Sequence, residues 1–200
     1  MGLVNHLRDL LGFGAESTAT QPADPEDLFG LSTAYITMET ELDFAPLPYA
    51  SLCFAEIDST DFAETLTSVK DIVVVGEERT LATVSEDSRG YNWVVIEDDD
   101  FEDLIIGVHA AADEFITNGY SARLLAAVFC FRRDSQLAYW IYSFRRGAYY
   151  PFVPTGQHNR DHGTEFKLRS VLDGELSIEP DESYWYPLWP DTPDSYPWES

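Results

Sequence analysis

The sequence predicts an α+β fold: an antiparallel sheet built from successive ββα units, helices packed mainly on one face, and a detached amphipathic helix at the N-terminus. Three observations carry this. Two pairs of apolar, β-branched runs, 80–84 with 91–97 and 124–133 with 137–146, flank short turn-forming segments. Residues 99–118 repeat their apolar side chains at helical spacing. A chain of 200 residues with 44% hydrophobic and 14% aromatic content can also bury a real core without disulfides or metal.

The elements follow in order. Residues 3–11 (LVNHLRDLL) place Leu3, Val4, Leu7, Leu10 and Leu11 on one helical face, with Asn5, Arg8 and Asp9 opposite. Gly-Phe-Gly closes the N-terminal unit at 1–14, and the small, polar, Pro-punctuated stretch 15–26 reads as a flexible linker. A single α+β domain then spans 27–178. Thr33–Leu42 alternates and is expected as a strand, with 49–57 as its partner. Residues 58–75 read as a helix with Phe62, Leu66, Val69 and Val73 on one face and cap candidates at its start. The hairpin 80–84/91–97 leads to the clearest helix, 99–118. Its stripe is Phe101, Leu104, Ile105, Val108, Ala112 and Phe115, its first turns are acidic, and Gly119 stops it. The strands 124–133 and 137–146 are apolar on both faces, which places them centrally in the sheet. A last helix, 164–172, ends at Gly174, and an aromatic, Pro-rich acidic tail fills 179–200.

Charge is the strongest compositional signal. Twelve basic against 36 acidic residues give a net charge of −24, and lysine is confined to Lys70 and Lys167. Repulsion of this size pushes a compact state apart in dilute buffer. At ~1 M salt the Debye length is only about 3 Å, so the repulsion is screened. The composition is that of a protein adapted to a salt-rich cytoplasm. Nucleic acid is excluded as a main partner, because no basic footprint is concentrated anywhere. Cys53 and Cys130 lie in apolar stretches and read as buried free thiols, not as a disulfide or zinc site. The longest apolar run, 124–131, is far short of the ~20 residues of a membrane span, and the N-terminus lacks a secretion signal. A cytoplasmic location is expected.

Chemistry-bearing constellations are sparse. His158 and His162 in GQHNRDHG are four apart, but Gly156, Asn159 and Gly163 mark a loop where a metal pair would need a helix and a third ligand. His109 falls at the edge of an apolar stripe with no nucleophile beside it in sequence. The acidic run 97–100 lacks the glycine and ligand spacing of a calcium loop. Arg145 and Arg146, followed by Tyr149 and Tyr150, stand out in a chain so poor in positive charge. They suit either internal ion pairing and stacking or recognition of an acidic partner. Trp185, Trp189 and Trp198 can dock on the body or form an interface with a partner. The 3–11 helix is too short to hold alone, since helices below ~12–15 residues are marginal in water. It therefore needs the chain's own body, a bilayer or a partner helix. The bilayer is the weakest of these, because Asp9 cancels Arg8 on the polar face.

Taken together, EDLFGLSTAYITMETELDF (26–44), YNWVVIEDDDFEDLI (91–105), AYWIYSFRRGAYYPFVP (138–154), EFKLRSVLDGEL (165–176) and YWYPLWPD (184–191) resemble the PspA-associated PspAB proteins of haloarchaea. The resemblance covers nearly the whole chain. It implies a non-enzymatic accessory to PspA, the coiled-coil membrane-stress protein, and an association with an HtpX-type membrane zinc protease. This chain has no HExxH, so any proteolysis would reside in that partner. It implies no catalytic residue and no cofactor, and places the protein at the inner face of the membrane only through its partners. Partner contact would fall to residues 3–11, the Arg-Tyr cluster and the tail tryptophans. The rival expectation is a hydrolase or metal-dependent enzyme using His109 or the His158/His162 loop.

Overall fold

A computed structural model describes residues 24–55, 57–74, 80–87, 90–156 and 158–189. The expected helix over 3–11, most of the linker, and Trp198 lie outside these residues. The described chain enters through a 3-10 helix, Pro25–Gly30, capped by the Asp24 carboxylate on the Glu26 N–H. It continues as α1, Leu31–Leu42.

Here the structure corrects the expectation of a strand over 33–42. The alternating pattern competes with a helical one: Leu31, Ala34, Met38 and Leu42, three and four apart, are all buried. Burying large apolar side chains contributes roughly 1.5–3 kcal/mol each, whereas strand propensities span only about 1 kcal/mol. The stripe wins, and Ile36 is left half exposed. Asp43 ends the helix in a left-handed backbone (φ 58°), and the Phe44 N–H reaches Met38 O at 3.0 Å. An aspartate thus does what glycine does at many helix ends.

The remaining elements are β1 (Ala45–Phe54), α2 (Thr60–Val74), β2 (Leu81–Glu86), β3 (Asn92–Glu97), α3 (Phe101–Thr117), β4 (Leu124–Arg133), β5 (Gln136–Ser143), β6 (Ala148–Phe152), β7 (Pro154–Gly156), β8 (Asn159–Arg160) and α4 (His162–Leu172). Six strands form one sheet in the order β2-β3-β1-β4-β5-β6, and every pair is antiparallel. The α+β class with an antiparallel sheet is therefore what the chain adopts. The unit order differs from three ββα repeats. The first unit is α1-β1-α2, so β1 has no hairpin partner and slots between the β2–β3 and β4–β5 hairpins. The third unit gains β6. Arg145 and Arg146 end no strand pair; instead Gly147 (φ 60°) turns the chain back into β6. Pro151 in β6 suits an edge strand, which loses no ladder bond to it.

Period-two alternation explains why the central strands are apolar throughout. Ala50, Leu52, Phe54, Val94, Ile96, Phe129, Trp140 and Tyr142 point into the core shared with all four helices. Cys53, Trp93, Val95, Val128, Cys130, Tyr139, Ile141 and Tyr150 point to the opposite face, where Trp185, Leu188 and Trp189 join them. The helices thus pack on one face, and the tail residues through 189 dock on the body's other face. Helix α3 lies close against β3 at Gly107, where a Cβ would come within 3.3 Å of Ile96.

Candidate functional site

The residues singled out in sequence converge where the C-terminal segment 177–189 meets β6. That segment runs beside the free edge of β6: Tyr149 N–H donates to Ser177 O (2.7 Å) and Glu179 N–H to Tyr149 O (2.8 Å). Arg146 then fixes it through a side-chain pair, Nε to Glu179 Oε2 at 2.7 Å, with its guanidinium 3.9 Å from the centre of the Tyr184 ring. The hydrogen bond to Glu179 is the main reason that the Arg146 pKa is raised. Trp185 Nε1–H donates to Glu179 O at 2.9 Å, and Trp189 meets the Phe152 ring edge-on at 5.0 Å. Tyr149, Tyr150, Trp185 and Trp189 are all buried, and Tyr149 donates its hydroxyl to Leu28 O. Arg145 is partly exposed on the same turn.

Beside this lies a second ion pair, which sequence reading missed. Arg160 on β8 donates Nε to Glu165 Oε1 and Oε2 at 2.8 and 2.9 Å, Nη1 to Trp185 O at 2.7 Å, and Nη2 to Pro151 O at 3.2 Å. It joins β6, α4 and the C-terminal segment in one contact. Glu165 is fully buried and also accepts from Val153 N–H (2.8 Å). His162 Nδ1 lies 3.2 Å from its other oxygen. Both oxygens of this carboxyl are thus turned to the protein's own groups, the arrangement of a buried structural pair. Two signals could have found the pair. Arg160 is a cation inside a loop of a cation-poor chain, and Asp161 opens α4 as its N-cap. By contrast Arg169–Glu182, at 3.3 Å, is a third to a half exposed. Such pairs contribute about 0–1 kcal/mol.

The histidines do not converge. His109 Nε2 lies 3.1 Å from Glu26 and its ring packs on Phe29, which ties α3 to the entry 3-10 helix. His158 packs on Trp189, and His162 on Glu165 and Phe166. Among the described residues no three His, Cys, Asp or Glu are grouped to hold a metal ion. Burial, and then the nearby Asp87, push the Cys53 thiol pKa up, which favours the neutral thiol over the nucleophilic thiolate.

Two neighbouring carboxyls are displaced in opposite directions. Asp161 accepts from Thr164 Oγ1–H (2.7 Å), Thr164 N–H (3.0 Å) and Gln136 Nε2–H (3.0 Å), and these bonds, those from Thr164 first, hold its pKa below the usual range. Burial pushes that of Glu165 up, against the lowering effect of Arg160. Asp161 thus favours the folded state above the ordinary aspartate range, and that contribution is lost as pH falls through its folded pKa. Glu165 behaves oppositely: the folded state binds its proton more tightly, so its contribution is present at low pH and lost as pH rises through its folded pKa. A carbon-13 carboxyl titration is expected to find Asp161 below, and Glu165 above, the ordinary value of each. Coincident midpoints would contradict this picture.

A family model described as PspA associated protein B matches residues 1–198. No curated protein and no solved structure matches the chain.

Proposed function

The chain belongs to the PspA-associated protein B family, and from that premise we propose that it is a non-enzymatic adaptor of the PspA membrane-stress system. One observation supports this above the rest: the groups that could do chemistry hold the fold's own parts together. Arg146, Arg160, Glu165 and Glu179 clamp the C-terminal segment, and His109 and His162 each lie singly against a carboxylate. An active site would gather such groups around a substrate cavity.

No helix among the described residues is long and apolar enough to cross a membrane. The adaptor works on the cytoplasmic side and reaches the membrane's inner face through PspA and, in the same assembly, an HtpX-type protease. Its first contact is the amphipathic segment with Leu3, Val4, Leu7, Leu10 and Leu11, because an apolar stripe laid along a partner helix is a recurring recognition mode. Arg145 and Trp198 add to that contact.

Deletion of residues 1–14 tests the assignment. Tagged protein purified from stressed cells in molar salt is expected to carry PspA, and the deletion to lose it with an unchanged melting temperature. Retained PspA, or a melting point lower by many degrees, would assign the segment to the fold instead.

A further inference from the structure

The two edges of the sheet are treated differently. At β6 the segment 177–179 supplies backbone partners and Pro151 removes a donor. At β2 (LATVSE) no backbone bond from the described residues reaches the outer side, and Leu81, Thr83, Ser85 and Glu86 are exposed. In an antiparallel pair alternate residues turn both N–H and C=O away from the neighbouring strand, so alternate residues of β2 face a side that no backbone group of the described residues meets. Proteins blunt such edges with lysine, proline, a bulge or very short strands. β2 has no Lys or Pro, pairs with β3 in unbroken register over six residues, and carries Glu86 alone as a charge.

We propose that the β2 edge is a docking site for an extended, basic segment of a partner protein, which adds a seventh strand to the sheet. This rests on the adaptor reading and gives the partner its chemistry. Beside Leu81 opens a groove lined by Pro48, Glu97, Asp98 and Asp99. Leu81 is 58% exposed there, an apolar contact ringed by carboxylates. Asp98 is buried, yet its carboxylate accepts only from uncharged donors, the Thr80 hydroxyl and the Asp100 N–H. A Lys or Arg at one end of the incoming strand would meet these acids. Its alternate apolar residues would extend the row of Ala82 and Val84, which pack on the core. A second copy is the wrong occupant, because antiparallel pairing of β2 with β2 sets Glu86 of each chain beside the Glu97–Asp99 carboxylates of the other at contact distance, where salt screens least.

The probe is the fluorescent peptide Lys-Val-Thr-Val-Thr-Val-Thr-Lys, with a Glu-ended analogue as control, in the lowest salt that keeps the native signal. The full chain is expected to bind the basic peptide in preference to the acidic one and to gain hydrogen-exchange protection over 81–86. Leu81→Lys with Thr83→Lys, both at exposed positions, is expected to weaken binding roughly tenfold or more through like-charge contact, with melting unchanged. Absence of protection at 81–86 overturns the site. If the 1–14 deletion still abolishes PspA capture, the adaptor reading survives that loss. Binding at the edge in a protein that never captures PspA keeps the site and removes PspA as its source. A peptide-free dimer that the lysines dissolve assigns the edge to a second copy and overturns the proposal.

Discussion

Dialysis from ~3 M to ~0.1 M salt is expected to abolish the native circular-dichroism signal, because the Debye length grows from under about 3 Å to about 10 Å and the surface charges come to repel one another. The structure shows why little inside the molecule offsets this. Glu39, Glu41 and Asp43 at α1, Asp61, Glu64 and Asp71 on α2, and Asp99, Asp100, Glu102 and Asp113 at α3 are all exposed. They decorate the outer surface of one helical layer. Three of the arginines that could neutralise them are engaged elsewhere. Arg133 donates to Leu42 O and Gln136 and covers the Phe44 ring, and Arg146 and Arg160 hold the C-terminal segment. Chloride and sulfate compared at equal ionic strength separate screening from the strengthening of apolar burial by excluded salts. Equal protection by both supports screening. A full native signal with an unchanged melting point at low salt would remove the argument.

Arg160→Leu is expected to cost about 3–5 kcal/mol, the range for breaking a buried ion pair by removing one partner. Glu165, fully buried, would keep a charge with only the Val153 N–H and His162 beside it, and Trp185 O and Pro151 O would lose their donor. In a domain of this size that is a fall of roughly 6–20 °C in melting temperature. Protease cleavage within 177–189 should accelerate, since the Arg160 contact with Trp185 is one of its fastenings. The double variant Arg160→Leu/Glu165→Leu should recover much of the loss, because the stranded carboxylate goes with its partner. Lower pH should also partly rescue the single variant, since protonation neutralises Glu165. A single variant within 1 kcal/mol of the parent in chemical denaturation would show that Arg160 is not the tie described.

The hairpins 80–97 and 124–143 and helices α2, α3 and α4 were legible because each shows one dominant period and a local stop or turn. Thr33–Leu42 was not, because two periods overlap there and only the surface that buries Leu31, Ala34, Met38 and Leu42 selects between them. The position of β1 was equally hidden, since a strand paired on both sides through long connections leaves no hairpin signal. Of the candidate site, the Arg-Tyr cluster and the tail tryptophans stood out by rarity in sequence. Their assembly around Glu179 did not.

What the sequence determined by itself is the local and the summed: α+β content, the acidic first turns and the Gly119 stop of helix 99–118, the excess of negative charge and the family. These depend on neighbours along the chain or on totals, and both are readable without coordinates. The tertiary structure alone decided which charges meet. Arg146 and Glu179 are separated by 33 residues and Tyr142 and Asp27 by 115, yet each pair is in hydrogen-bond contact. It also decided that the β6 edge is closed by the segment 177–179. Both depend on loop closure between distant segments, and composition and period carry no record of that.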